Sequence, residues 1–197
     1  MTDTLKPSLH DVAVRYGCDK LHSHSYIPVY ADLFANRTVR RLLEIGIGFE
    51  DLMKPFVPHY VHGASLRMWA DYFPDAEIYA CDIREDTLIN EGRIHSFICD
   101  QSSVTSLVDL MVAIRGACDV VIDDGSHVTE HQVLTAKVLL PSMAAGTLYV
   151  IEDVRDFESG TWIIQELAPY VLKRRGAAID LYQGTKRPDD NLVIVKL

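Results

Sequence analysis

The chain predicts a doubly wound α/β fold, a mostly parallel sheet with helices on both faces, on three observations. First, apolar runs end in acids or glycines: Arg41-Leu42-Leu43-Glu44-Ile45-Gly46-Ile47-Gly48, Asp119-Val120-Val121-Ile122-Asp123-Asp124-Gly125-Ser126-His127 and Thr147-Leu148-Tyr149-Val150-Ile151-Glu152-Asp153. β-branched runs bounded by a turn signal are typical of central parallel strands covered on both faces. Second, segments of helical spacing separate most of the strand-like runs. Third, Ala177–Tyr182 and Asn191–Lys196, joined by a polar Pro/Asp loop, read as a closing antiparallel hairpin. The order, roughly βαββαβαβαββ, gives one sheet, and residues 1–197 are expected to form one domain. Ligands of open α/β sheets sit outside the carboxyl ends of the strands, so the three tips are expected to share a site.

In chain order, Ser8 caps a helix that runs through Tyr16 and stops at Gly17, and a second helix spans Ile27 to Phe34. Between them, Gly17 to Tyr26 is polar and aromatic without clear periodicity. It reads equally as a plain loop or as a lid, and residues 1–39 are taken as a helical N-terminal lid segment. The first strand, Arg40 to Ile45, turns at Gly46-Ile47-Gly48. Residues 49–63, with Pro55, Pro58, His59 and His62, form an insertion in the first crossover. Its two histidines have metal-binding chemistry, although exposed loop histidines are the commoner case.

Ala64 to Phe73 places Leu66, Trp69, Ala70 and Phe73 at helical spacing, and Pro74 ends it. Glu77 to Asp82 is the second strand. A crossover too short for a full helix leads to the third, Ile94 to Cys99, followed by Asp100 and Gln101. Ser102 caps a helix carrying Leu107, Leu110, Met111 and Ile114. After the central strand a helix runs from about Val128 to Leu140, and a last one from Trp162 to Lys173.

Composition narrows the function. The chain has 197 residues, 48% apolar and 24% charged, ordinary for a globular protein with a substantial core. Acids outnumber bases 28 to 19, for a net charge of -9, which weighs against a nucleic-acid surface. Cys18, Cys81, Cys99 and Cys118 form no C-x-x-C pair and read as buried reduced thiols. No apolar run approaches a membrane span, and the N-terminus lacks signal-peptide character, so a cytoplasmic enzyme is expected. The expected partner is a small molecule, with no nucleic acid and no membrane; self-association stays open.

The chemistry gathers at the strand tips. Gly46 and Gly48, two apart after a strand, let backbone approach a ligand closely. A dinucleotide fingerprint would want glycine at position 51, which is Asp51. Glu44 would repel a pyrophosphate and suits an ammonium or sulfonium. Asp82 ends the second strand, placed for a ribose contact, and Asp100-Gln101 could read an adenine edge. Ser65 and Asp123 complete the expected cofactor contacts. In this order the residues point to S-adenosylmethionine.

The set Glu44-x-Gly46-x-Gly48, Asp82, Asp100 and the terminal hairpin resembles a class I S-adenosylmethionine-dependent methyltransferase, with its Rossmann-like seven-stranded sheet. Gly17-x-Asp19-Lys20, the stretch Gly63 to Trp69, Ile122-Asp123-Asp124-Gly125-Ser126-His127 and Ile151-Glu152-Asp153 are similar to one branch. That branch is the metal-dependent O-methyltransferases acting on sugars of macrolides and related natural products, the mycinamicin type. The resemblance spans about Gly17 to Asp153 and implies Mg²⁺ on Asp124, Glu152 and Asp153, with His127 as general base. It implies an antibiotic-biosynthesis acceptor, a sugar hydroxyl or other vicinal diol, which Lys20, His24 or Tyr26 could contact. Cys18 stands where threonine is usual in the Gly-x-Asp-Lys segment, and only some forty residues precede the first strand.

The residues support that chemistry independently. Three carboxylates from adjacent strand tips supply the oxygen ligands Mg²⁺ prefers. A cation beside a hydroxyl lowers its pKa, and a histidine with a reference pKa of about 6.5 can take the proton near neutral pH. Methyl transfer in line from a sulfonium is then mostly positioning. Two rival readings stand beside this one. His127-Val128-Thr129-Glu130-His131 matches the H-x-x-E-H zinc-hydrolase signature, which would leave the glycine turn and the strand acids idle. A non-catalytic S-adenosylmethionine-binding subunit is the other.

Overall fold

The computed structural model describes residues 7–55, 57 and 60–197. Residues 1–6 of the N-terminal segment, and Pro58 and His59 of the insertion, lie outside the described residues, and with His59 the expected histidine pair. The helices are α1 (Leu9–Tyr16), α2 (Asp19–His22), α3 (Tyr26–Phe34), α4 (Glu50–Met53), α5 (Ala64–Tyr72), α6 (Val104–Ala113), α7 (Thr129–Leu139) and α8 (Phe157–Val171). The strands are β1 (Arg41–Ile45), β2 (Glu77–Asp82), β3 (Ile94–Ile98), β4 (Val120–Asp123), β5 (Leu148–Ile151), β6 (Ala178–Gln183) and β7 (Asn191–Lys196).

The seven strands lie in the order β3-β2-β1-β4-β5-β7-β6. Strands β1 to β5 pair in parallel, and β7 runs antiparallel to both β5 and β6. The direction of winding reverses between β1 and β4, which is where such sheets open a crevice. The expected strands are all present, and the crossover after β2 holds only a 3-10 turn, Glu85–Thr87.

Local chemistry sets the ends of the elements. Ser8 Oγ accepts from the Asp11 N–H at 3.1 Å, and Gly17 leaves α1 in the left-handed conformation, φ 61°. Helix α6 begins a residue later than expected: Ser103 is the cap, because Ser102 N–H and Oγ are both tied to Asp100 Oδ1. Helix α8 starts at Phe157 rather than Trp162, because Asp156 caps it by accepting from Ser159 N–H at 2.7 Å. Gly160 inside α8 serves packing: a Cβ there would sit 2.6 Å from Leu181 Cδ1.

The strand period of two divides the core into two layers. Leu42, Ile78, Val120, Ile122 and Val150 face α3 and α5, meeting Tyr30, Leu66 and Trp69. Leu43, Ile45, Val121, Tyr149 and Ile151 face α6, α7 and α8, meeting Leu107, Val133 and Ile163. All four cysteines are buried and free of disulfides. Among the described residues no helix is long and apolar enough to cross a membrane.

Candidate active site

The same alternation decides which acids reach the crevice. Glu44 lies on the Leu42 face, and register pairs it with Ile122, which in turn pairs with Val150. Asp124 and Glu152, each two residues further along, therefore turn toward that same face. Three carboxylates of three adjacent strands converge there, and Lys20 of α2 fills the space between them. Its Nζ lies 2.5 Å from Asp124 Oδ2, 2.7 Å from Glu152 Oε2 and 3.2 Å from Glu44 Oε1. Lys20 is 0% exposed. An ion so deep is stable only when paired.

Glu44 and Glu152 are thereby spent inside the protein. Trp69 Nε1–H donates to Glu44 Oε2 at 3.0 Å, and the Tyr30 hydroxyl donates to Glu152 Oε1. Burial pushes Glu44 up to about 7 against the pull of Lys20. Burial likewise drives Glu152 well above the carboxylate range despite Lys20. Burial also works against ionised Asp124, but the charge of Lys20 and then His127 outweigh it and hold that carboxyl well below its ordinary value.

The crevice is a cavity of about 660 Å³ over the strand tips. Gly46, Gly48, Ser65, Asp82, Asp100 and Gln101 line one part of it. Gly46, at φ 93°, runs so close to β4 that a Cβ would lie 2.0 Å from the Asp124 carbonyl oxygen. Asp82 accepts from the Ile47 N–H and the Arg84 N–H, both at 3.0 Å, which fixes its carboxylate beside the glycine turn. Gln101 accepts from Ser126 N–H at 2.8 Å and donates to Asp123. Asp123 itself points into the α6–α8 layer, where burial raises it to about 7. It reaches the cavity only through Gln101.

The other part of the cavity carries Asp124, His127 and Asp153. One ligand atom from each lies within 4.8 Å of the other two. His127 Nε2 is 3.2 Å from Asp124 Oδ1, and Nδ1 is 3.5 Å from Asp153 Oδ2. His127 and Asp153 both adopt left-handed backbone, φ 55° and 50°, which is costly for side chains other than glycine and concentrates at functional sites. Burial lowers His127, but the hydrogen bond and charge of Asp124, with Asp153 and Asp123, override it and hold the imidazole at about 9. The sequence reading placed this base near neutrality. Without a cation it is an imidazolium bridging two carboxylates at pH 7.

The donor set suits a hard divalent cation. Two carboxylates, with the remaining positions left to water and ligand, match the way Mg²⁺ is ordinarily held. Of the three acids suggested for the metal, Asp124 and Asp153 converge with His127, while Glu152 is turned to Lys20 and Tyr30. Of the cofactor set, Glu44 and Asp123 do not line the cavity and the other six do.

The H-x-x-E-H reading fails on geometry. His127 precedes α7, bonded toward Asp124 and Asp153, whereas His131 lies on α7 with Nδ1 3.0 Å from Ser126 Oγ. Sequence reasoning missed the ion-pair role of Lys20, and it missed Tyr30, Asp190 and Arg187 altogether. Lys20 has a retrospective signal: three strand-end acids on one face need an internal cation.

Sheet order, glycine turn and tip cavity define the class: this is the class I S-adenosylmethionine-dependent methyltransferase fold. Its homologues are sugar O-methyltransferases of natural-product pathways. The chain is 40% identical over 152 residues to the 8-demethyl-8-α-L-rhamnosyl tetracenomycin-C 2'-O-methyltransferase of Streptomyces olivaceus, a match covering 76% of this chain and 38% of that protein. It is 37% identical over 157 residues to the mycinamicin VI 2''-O-methyltransferase of Micromonospora griseorubida, covering 76% and 36%. The matches thus span well under half the length of these curated relatives. Among solved structures, MycE methyltransferase from the mycinamycin pathway, in complex with Mg, SAH and mycinamycin VI, superposes with a TM-score of 0.75 at 28% identity, over 98% of this chain and 55% of that one. An O-methyltransferase from Bacillus cereus shares the fold at 13% identity, TM-score 0.61, over 98% and 93%. No family model matches the chain.

Proposed function

We propose that this chain transfers a methyl group from S-adenosylmethionine to a hydroxyl of a sugar, or another vicinal diol, on a natural product, with Mg²⁺ as second cofactor. One observation carries the reading: the Asp124–His127–Asp153 cluster and the glycine turn with Asp82 and Asp100 line one cavity. The relatives named for sugar O-methylation support the acceptor class, and the MycE complex with Mg and SAH supports both cofactors.

Gly46 and Gly48 admit the cofactor against bare backbone, with Ser65, Asp82, Asp100 and Gln101 as its polar contacts. Asp123 acts through Gln101, and Glu44 acts through Lys20 rather than on the sulfonium. Asp124 and Asp153 would hold Mg²⁺, and Glu152 braces Asp124 through their shared Lys20. The cation supplies Lewis acidity that lowers a hydroxyl pKa. His127 is the general base; its proton must leave before it can accept one, and weakening of its bonds to Asp124 and Asp153 brings that within reach near neutral pH. Residues 1–197 act as one methyltransferase domain, its N-terminal segment forming the lid. The buried reduced thiols support a cytoplasmic setting, and the acidic charge supports small molecules over nucleic acids as partners.

The test incubates the chain with S-adenosylmethionine and 8-demethyl-8-α-L-rhamnosyl tetracenomycin C, with Mg²⁺ or with excess chelator. A methylated product that disappears with chelator is expected. Undiminished methylation in chelator rejects the metal role, and failure to bind S-adenosylhomocysteine rejects the class.

A further inference from the structure

The turn between β6 and β7 reaches the N-terminal segment through contacts the proposed chemistry does not use. Asp190 is 0% exposed. Its carboxylate accepts from the Ser25 N–H at 2.9 Å, the Ser25 hydroxyl at 2.6 Å, the Thr185 N–H at 2.9 Å and the Lys186 N–H at 3.0 Å. Lys186 Nζ donates to the carbonyls of Leu21 and His24. The Tyr26 hydroxyl donates to Asp153 Oδ1 at 2.8 Å and lies 3.2 Å from the Asp189 carbonyl oxygen. The turn is therefore bound to residues 21–26 and, through Tyr26, to the Asp124–His127–Asp153 cluster.

Two groups on this junction also line the cavity. His24, 4% exposed, stacks on Tyr26 with ring centroids 4.7 Å apart. Its Nδ1 has no hydrogen-bond partner among the described residues, lying 3.4 Å from Asp190 Oδ1 and 3.5 Å from Asp153 Oδ1. Arg187, oriented by Asp189 at 3.0 Å, is carried into the same cavity by the turn itself. A buried polar atom without a hydrogen bond is costly, and in a residue that lines a cavity it points to a ligand. A guanidinium offers only donors, which suits the ether and hydroxyl oxygens of a glycoside.

We propose that the β6–β7 turn is a clasp that builds the acceptor wall of the cavity, with Arg187 and His24 as its acceptor-facing groups and Asp190 as the positioning residue. This rests on the methyltransferase reading. A wall assembled before the acceptor arrives spares the ordering cost that binding would otherwise incur, so its loss falls on acceptor KM more than on the cofactor.

The test compares the full chain with Asp190→Asn and Arg187→Ala. Three quantities are measured: deuterium exchange, calorimetric affinity for S-adenosylhomocysteine, and steady-state kinetics with the rhamnosyl tetracenomycin as acceptor probe. Asp190→Asn should speed exchange over residues 19–26 by about tenfold while β1 and β4 are unchanged. Acceptor KM should rise about tenfold in both variants, with cofactor affinity within twofold. Unchanged KM in both, exchange that accelerates throughout, or an equal loss of cofactor affinity overturns the clasp. Should Asp190→Asn not fold, Arg187→Ala decides by the same KM criterion. If the parent chain binds cofactor but leaves the probe unmethylated, that acceptor is wrong; localised exchange then still upholds the clasp, and unaltered exchange overturns it.

Discussion

Lys20 Nζ stands 2.7 Å from Glu152 Oε2 across 132 residues of chain, and neither side chain reaches solvent. This pair fastens the N-terminal segment to the tip of β5, beside the acids proposed to act. Removing the ammonium leaves Glu44, Asp124 and Glu152 facing one another without a partner. Lys20→Met should cost about 3–5 kcal/mol, the usual penalty for breaking a buried ion pair from one side. Denaturant unfolding measures it. Adding Glu152→Gln to Lys20→Met should recover part of the loss, and an unchanged midpoint in the single variant would contradict the pairing.

Asp124→Asn keeps the side-chain shape and removes the charge of a proposed metal ligand. Stimulation of methyl transfer by Mg²⁺ should vanish, while affinity for S-adenosylhomocysteine stays within about twofold, because the proposed cofactor contacts lie elsewhere in the cavity. Calorimetry with and without Mg²⁺ separates the two.

The pH dependence of cation binding follows from His127. In the free chain its imidazole is held at about 9, so at neutral pH a protonated ring pairs with the carboxylates proposed for a cation. Raising pH removes that competitor. The apparent Kd for Mn²⁺ should therefore fall about tenfold per pH unit between roughly pH 7 and 9, the mark of one released proton, and level off above. His127→Gln should flatten the slope and lower the methylation rate by about 100-fold or more. A slope already flat in the parent chain would remove the bridging imidazolium.

Gly46→Ala tests the close approach of β1 to β4. A methyl group there would meet the Asp124 carbonyl oxygen, and φ 93° is left-handed backbone. The variant should lose about 2 kcal/mol or more, together with cofactor affinity, as the turn moves away from the tip. Thermal unfolding with and without S-adenosylhomocysteine reads both losses.

Much of the fold was legible because its signals are local. Continuous apolar runs ending in acids or glycines identified the central strands, Ser8 and Gly17 bracketed α1, and the run at Val120–Asp123 marked the centre of the sheet. The direction of each acid was harder. Glu44, Asp123 and Asp124 look alike in a string of letters, yet strand parity sends Glu44 and Asp124 to the Lys20 face and Asp123 to Gln101, and of the three Asp124 alone lines the cavity. Asp153 escapes that parity only by its positive φ, which no residue type announces. Asp190 was hidden because its partner Ser25 lies at the opposite end of the chain, and Arg187 because only the fold brings its turn to the cavity.

A divalent cation and S-adenosylmethionine are proposed to share the cavity over β1, β4 and β5. The most direct measurement is a crystal structure of the chain with Mn²⁺ and S-adenosylhomocysteine, with the cation located by its anomalous signal. A single peak between the carboxylates of Asp124 and Asp153, with the cofactor along Gly46 and Asp82, is the predicted result. Bound cofactor with no peak at those two side chains, or a peak elsewhere, would contradict it.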